Sequence, residues 1–229
     1  RVASVNSNGI SALSNEVSAT PSSDNLSRGL VAFYRFNGNA NDNTSNANNG
    51  TVSGAILTKG KDNVSNTAYK FDGVDDYIEF PTGILSGSGD FSISLWINTT
   101  ASSQSRILQQ RDANGYNGEY MLDLKSDGKL IFKTYRNGYK WSGTSSSVVN
   151  DANWHQISIV QEDNGGRLYL NGNLESFDNN SGKVYLLSTL KTFLGGDKRD
   201  DNKFFDGKID KLRIYNRALT SLENSLLHT

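Results

Sequence analysis

Phe204–Leu219 reads FFDGKIDKLRIYNRAL. The Asp206–Gly207 pair is a turn signal, and an alternating run follows it. Asp210, Leu212 and Ile214 fall on one face; Lys211, Arg213 and Tyr215 fall on the other. Alternation in β-branched and aromatic company predicts a strand with one buried face. Asp210 then falls on the apolar face, where an ionised carboxylate without a partner is too costly to keep. Phe71–Phe80, FDGVDDYIEF, repeats the plan: a Phe-Asp-Gly turn, an acidic entry, and Asp76, Ile78 and Phe80 on one face.

Further strands are predicted outward from these two. Leu30–Phe36 opens the series, and Val52–Ile56, Ala68–Phe71 and Phe91–Asn98 follow. From Arg106 the chain reads as hairpins: Glu119–Lys125 and Lys129–Tyr135 flank Asp127–Gly128, a strong hairpin signal. Tyr139–Trp141 follows Asn137–Gly138. Trp154–Gln161 pairs with Arg167–Leu170, Asn171–Gly172 turns into Leu174–Phe177, and Leu190–Leu194 precedes the loop at 195–203. Thr220–Glu223 fits a capping box for a short helix, Ser221–Leu227, folded back on the sandwich, with Leu222 and Leu226 one turn apart. The expected architecture is all-β: two antiparallel sheets in a jelly-roll sandwich, with this helix at the C-terminal end. The first and last strands are expected side by side. Ile78, Phe80, Leu95, Ile157, Ile159, Leu168, Leu212 and Ile214 are the expected core.

Five stretches, in this order, resemble the LamG-like jelly-roll domains of the concanavalin A-like lectin/glucanase superfamily. They are GLVAFYRFNGNANDNTSNANNGT, AYKFDGVDDYIEF, FSISLWIN, NWHQISIVQEDNGGRLYLNGNLE and FFDGKIDKLRIYNRALTSLE. The resemblance covers residues 28–229. The first 21 residues are similar to the last hairpin of a fibronectin type III module, and 22–27 form a polar linker; the alternative is an N-terminal hairpin of the main domain. About twenty residues cannot close a sandwich of that kind, so the chain reads as cut from a longer multidomain protein.

Composition narrows the function. The net charge of −1 gives no general attraction to nucleic acid or to an anionic membrane. With no cysteine there is neither a disulfide nor a thiolate metal site. No apolar run is long enough to span a bilayer. The start of the chain lacks the apolar centre of a signal peptide, so an export signal would lie upstream.

Catalysis finds little support. A glycosidase needs two carboxylates about 5–9.5 Å apart. The best pair along one strand, Glu119 and Asp123, is four residues apart, about 13 Å by strand rise. His155 reads as a structural strand residue, and a second histidine stands beside the C-terminus. The expectation is no enzyme.

Binding fares better. Sugar recognition needs aromatic faces with polar groups beside them. Tyr116, Tyr135, Tyr139 and Trp141 gather with Arg111 in the middle third, and Asp197 adds a carboxylate from a later loop. Trp141, just beyond a turn, is the leading candidate. The resemblance implies a non-catalytic carbohydrate-binding module of an exported bacterial protein, secreted or at the cell surface. A polysaccharide would be its partner, beside the other domains of its own polypeptide. The alternative is a structural spacer or protein-interaction module that binds no glycan.

A structural calcium ion is the last expectation. Antiparallel pairing of the first and last strands brings the loop at 41–50 beside the entry of the closing strand. Asp42, Asn46, Asn48 and Asp210 then supply oxygens of the kind calcium takes. The resemblance implies calcium at the same place. A loop with no ion, and Asp210 paired to an arginine or to backbone amides, is the alternative.

Overall fold

A computed structural model describes residues 5–6, 9–10, 26–111, 117–136, 139–179, 184–197 and 203–229. Fifteen strands build the sandwich. They are β1 (Leu30–Tyr34), β2 (Thr51–Ser53), β3 (Ile56–Thr58), β4 (Ala68–Asp72) and β5 (Tyr77–Thr82); then β6 (Phe91–Asn98), β7 (Ser105–Gln110), β8 (Asn117–Leu124), β9 (Lys129–Arg136) and β10 (Tyr139–Val148); and finally β11 (Trp154–Glu162), β12 (Gly165–Leu170), β13 (Asn173–Asp178), β14 (Lys191–Leu194) and β15 (Asp206–Tyr215). Helix α1 spans Ser221–His228.

A seven-stranded sheet runs β10-β9-β8-β7-β14-β5-β2. An eight-stranded sheet runs β13-β12-β11-β6-β15-β4-β3, with β1 also paired to β15. Every pairing between these strands is antiparallel. The first and last strands are neighbours, with Leu212 opposite Tyr34 and Ile214 opposite Ala32. All eight residues of the expected core are fully buried between the sheets. Within the first 21 residues the described part is a two-residue ladder, Val5 opposite Ile10 and Asn6 opposite Gly9. The rest of the fibronectin-like stretch lies outside the described residues.

The closing strand departs from simple alternation. Against β6, Ile209 stands opposite Ile97 and Asp210 opposite Trp96; the next pair is Arg213 with Ser94. Lys211 and Leu212 thus share the space of one partner residue, a β-bulge, and Lys211 sits at φ 51°. The extra residue turns Ile209, Leu212 and Ile214 all toward the core. It sends Asp210 to the outer face, opposite Trp96, so Asp210 does not share the apolar face as the alternation predicts. On that outer face Trp96 is covered by His228, which stacks on it at 5.7 Å, and by the Lys61 ammonium at 4.4 Å.

Helix α1 folds over the same outer face. Its capping box is formed: the Glu223 amide donates to the Thr220 hydroxyl, and the Thr220 amide donates to the Glu223 carboxylate. The buried helix residues are Glu223, Asn224 and Leu227, whereas Leu222 is half exposed. Leu227 packs with Val160, Tyr169, Tyr215 and Leu219, and Arg217 grips Glu223 at 2.6 Å, which turns the first helical turn toward the sheet.

Candidate functional site

The outer face of the seven-stranded sheet carries a run of polar side chains that are nearly all buried. Glu119, Met121 and Asp123 alternate along β8 and point the same way, opposite Tyr135, Lys133 and Ile131 of β9. On β7, Arg106 stands opposite Asp123 and Gln109 opposite Met121. Arg106, Glu119, Met121, Asp123, Lys133 and Tyr135, together with Arg111 and Lys203, line a groove of about 220 Å³.

Charge fixes the floor. The Arg106 guanidinium pairs with Asp123 and also donates to the Gln109 side-chain oxygen. The Gln109 amide then donates to Asp197 at 2.8 Å. Arg106, Gln109, Asp123 and Asp197 are each no more than 4% exposed. Ions this far from water persist only when each is paired and hydrogen-bonded, and such a network is stiff. The floor is thus a fixed, internally paired polar network.

The expected binding residues divide over this geometry. Arg111 and Tyr135 line the groove, and Asp197 sits behind it, joined through Gln109. Tyr116 and the side chain of Tyr139 lie outside the described residues; the backbone of Tyr139 stands opposite Tyr135. Trp141 is a correction. The register shifts between Thr134 and Tyr135, so that Trp141 faces Thr134 one step out of alternation. Its indole points into the core and is 2% exposed, 5.1 Å from the Phe132 ring. The β12 backbone covers it: a Cβ on Gly166 would lie 2.5 Å from its ring. No sugar ring can stack on it there. Arg106, Gln109 and Lys133 were not among the expected residues. Their signal was present in SRILQQ and KLIFKTY, but only register against β8 brings them together.

The expected metal ligands divide as well. Asp42 accepts from the Phe33 and Thr44 amides at 3.0 and 2.9 Å with one oxygen, and from the Thr44 hydroxyl and Asn48 amide at 2.9 and 3.1 Å with the other. These bonds hold its carboxyl below the ordinary range against the opposing effect of burial. The side-chain amides of Asn46 and Asn48 both donate to the Val31 carbonyl. The loop therefore serves the free edge of β1, taking over bonds another strand would make. Asp210 is apart from it. It lines one outer-face cavity while Asp42 lines the next. Its nearer partner is the Lys61 amide, which donates to Oδ2 at 3.0 Å.

A different acid cluster does converge. Asp72, Asp75 and Asp76 at the end of β4 bring carboxylate oxygens within 4.8 Å of one another. Burial, and then its two acidic neighbours, raise the Asp76 pKa while the Asp72 amide opposes this. Such a set can hold a metal ion, which would offset the repulsion. His155, by contrast, is structural: its ring nitrogens meet Asp151 at 2.9 Å and the Asn171 amide at 3.1 Å, tying β11 to the Asn171–Gly172 turn.

The sheet order, register and capped terminal helix meet the sequence at a family. Residues 71–223 match the laminin G model described as the concanavalin A-like lectin/glucanases superfamily. The chain belongs to that superfamily. Among solved structures it is similar to domain 4 of AbnA, a GH43 extracellular arabinanase from Geobacillus stearothermophilus, in complex with arabinotriose. The identity is 23% and the TM-score 0.73, over 87% of this chain and 98% of that one. The binding domain of Paraclostridial Mosquitocidal Protein 1 is 20% identical at a TM-score of 0.71, over 87% of this chain and 52% of that one. The binding domain of botulinum neurotoxin serotype G is 15% identical at 0.66, over 87% and 50%. This chain thus spans about half the length of the toxin binding domains. No curated protein matches the chain. No helix among the described residues is long and apolar enough to cross a membrane.

Proposed function

We propose that this chain is a non-catalytic carbohydrate-binding module of an exported multidomain protein, and that the groove over β7, β8 and β9 takes the glycan. The observation that carries the reading is the buried Arg106–Asp123–Gln109–Asp197 network beside a groove of about 220 Å³. A sugar hydroxyl both donates and accepts, and a fixed array of carboxylate, guanidinium and amide groups suits it. The arabinotriose held by the arabinanase domain supports a glycan ligand, as does the N-acetylneuraminic acid held by the binding domain of botulinum neurotoxin serotype D. The extracellular arabinanase supports an exported setting.

The absence of catalysis is argued from Glu119 and Asp123. They stand four residues apart on one strand, about 13 Å by rise, and Asp123 is committed to Arg106. Neither fits the acid–nucleophile pair of a retaining glycosidase. A structural calcium ion completes the reading. Its place is the Asp72–Asp75–Asp76 cluster in preference to the Asp42 loop, whose carboxylate already accepts four bonds.

The alternative, a protein-interaction module, is favoured by one feature: the edge strand β13 leaves Phe177 and Leu174 largely exposed. A glycan array and polysaccharide pull-down with the wild-type chain and with Glu119→Gln separate the two. Glycan retention that the substitution weakens is expected. Retention of no glycan by the wild type would leave the interaction module standing.

A further inference from the structure

We propose that the outer face of the other, eight-stranded sheet carries a second site, which takes an oligosaccharide bearing a carboxylate. Beside the β15 bulge lies a cavity of about 370 Å³ lined by Phe33, Arg35, Asn37, Thr67, Asp210 and Arg213, among others. Phe33 and Arg213 are cross-strand partners. The Arg213 guanidinium carbon stands 4.2 Å from the Phe33 ring centroid, and that of Arg35 stands 5.1 Å from it. Two guanidiniums thus crowd one ring. Neither makes a hydrogen bond or ion pair to a described residue. Burial lowers the Arg213 pKa, and Arg35 lowers it further. Asp62, the exposed acid of the cavity, is committed to Lys61 and Lys211 at 3.0 and 2.5 Å.

Asp210 supplies the second unmet need. It is 1% exposed, and its Oδ1 has no hydrogen-bond partner in the described structure. The cavity therefore lacks a hydrogen-bonded anion for two guanidiniums, since Asp210 acts on Arg213 only through space, and a donor for one carboxylate oxygen. A ligand with both a carboxylate and a hydroxyl answers both at once: guanidinium holds carboxylate through paired charge-assisted bonds, and the hydroxyl donates to Asp210. Sulfate answers only the first, because it brings no donor to Asp210.

The adjoining space points to a sugar chain. A cavity of about 530 Å³ shares Arg35 and Asn37 and continues past Asn39, Asn41 and Asn43. Side-chain amides offer donors and acceptors together, as a row of hydroxyls requires. One uronate unit at the arginine pair and a second unit along the asparagines is the arrangement that fits.

The test is titration of the whole chain with oligogalacturonate and with a neutral oligosaccharide of equal length, read by amide chemical shifts. Oligogalacturonate is expected to shift Arg35, Asn37, Thr67 and Lys211. Arg35→Ala removes an exposed side chain and is expected to weaken binding by about tenfold, the loss of one charge-assisted contact. Lys191→Ala, at an exposed position on β14 outside both sites, is expected to leave it unchanged. Oligogalacturonate that shifts only the β7–β9 groove, equal shifts at Arg35 with the neutral sugar, full displacement by equimolar sulfate, or an unaltered Arg35→Ala would each overturn the proposal. A neutral glycan confined to the β7–β9 groove would leave the proposed function intact while this site fails. Oligogalacturonate at Arg35, with no glycan in that groove, would do the reverse.

Discussion

Asp210 is a buried carboxylate with one satisfied oxygen, and burial pushes its pKa up to about 6. The raised value means that the native state binds the proton more tightly than the unfolded chain. Between the ordinary carboxylate range and pH 6 the native form holds more protons, so stability falls as pH rises through that window. The expected span is on the order of 3 kcal/mol. Denaturant melts from pH 4 to pH 7 should show it in the wild type and lose it in Asp210→Asn; parallel slopes in the two proteins would refute it. Trp141 gives a second residue-scale expectation. Because its ring is enclosed by Phe132 and the Gly166 backbone, Trp141→Ala should cost about 3–5 kcal/mol in denaturant unfolding, the range for deleting a large core ring. A loss below 1 kcal/mol would place the ring on the surface. The two residues were misread from sequence for different reasons. Alternation assigns faces correctly only until a residue is inserted, and the bulge at Lys211 and Leu212 has no adjoining Gly or Pro to announce it. Trp141 was singled out for its place just beyond the Asn137–Gly138 turn, which does not tell which face its ring takes once the register shifts.

At the scale of elements, the legible parts were those with strong local chemistry. The Asp127–Gly128 and Asn171–Gly172 turns place glycine at φ 79° and 77°, a conformation that glycine adopts without strain, and the hairpins around them form as read. The capping box at Thr220 was equally local. Thr220→Ala should cost about 1 kcal/mol, checked by thermal melting, and an unchanged melt would mean that the Arg217–Glu223 pair alone holds the helix start. Strand β7 was not read, because SRILQQ has no alternation. It is buried on both sides, with Ile107 and Leu108 inward and the Arg106–Gln109 pair under the groove. The asparagine loop was read as a cation cradle. Its role in the fold is to cap the β1 edge through the Phe33 amide and the Val31 carbonyl, something that only the position of β1 at a sheet margin reveals.

For the whole molecule, the order of markers along the chain carried the superfamily, while the groove depends on register across three strands: of the residues singled out from sequence Arg111 and Tyr135 line it, and Arg106 was not singled out. The proposed calcium ion would act at this scale through linkage. At a hundredfold excess over its dissociation constant an ion stabilises by about 2.7 kcal/mol. Melting in calcium should therefore exceed melting in EGTA for the wild type and for Asp42→Asn, and the gap should close in Asp75→Asn. Identical wild-type melts in the two buffers would remove the ion from the account. The central claim is the glycan groove, and amide chemical-shift mapping during titration with arabinan and other neutral oligosaccharides tests it most directly. The account predicts saturable shifts confined to Arg106, Glu119, Met121, Asp123 and Lys133, weakened in Glu119→Gln. Shifts confined to other surfaces, or none with any glycan, would contradict it.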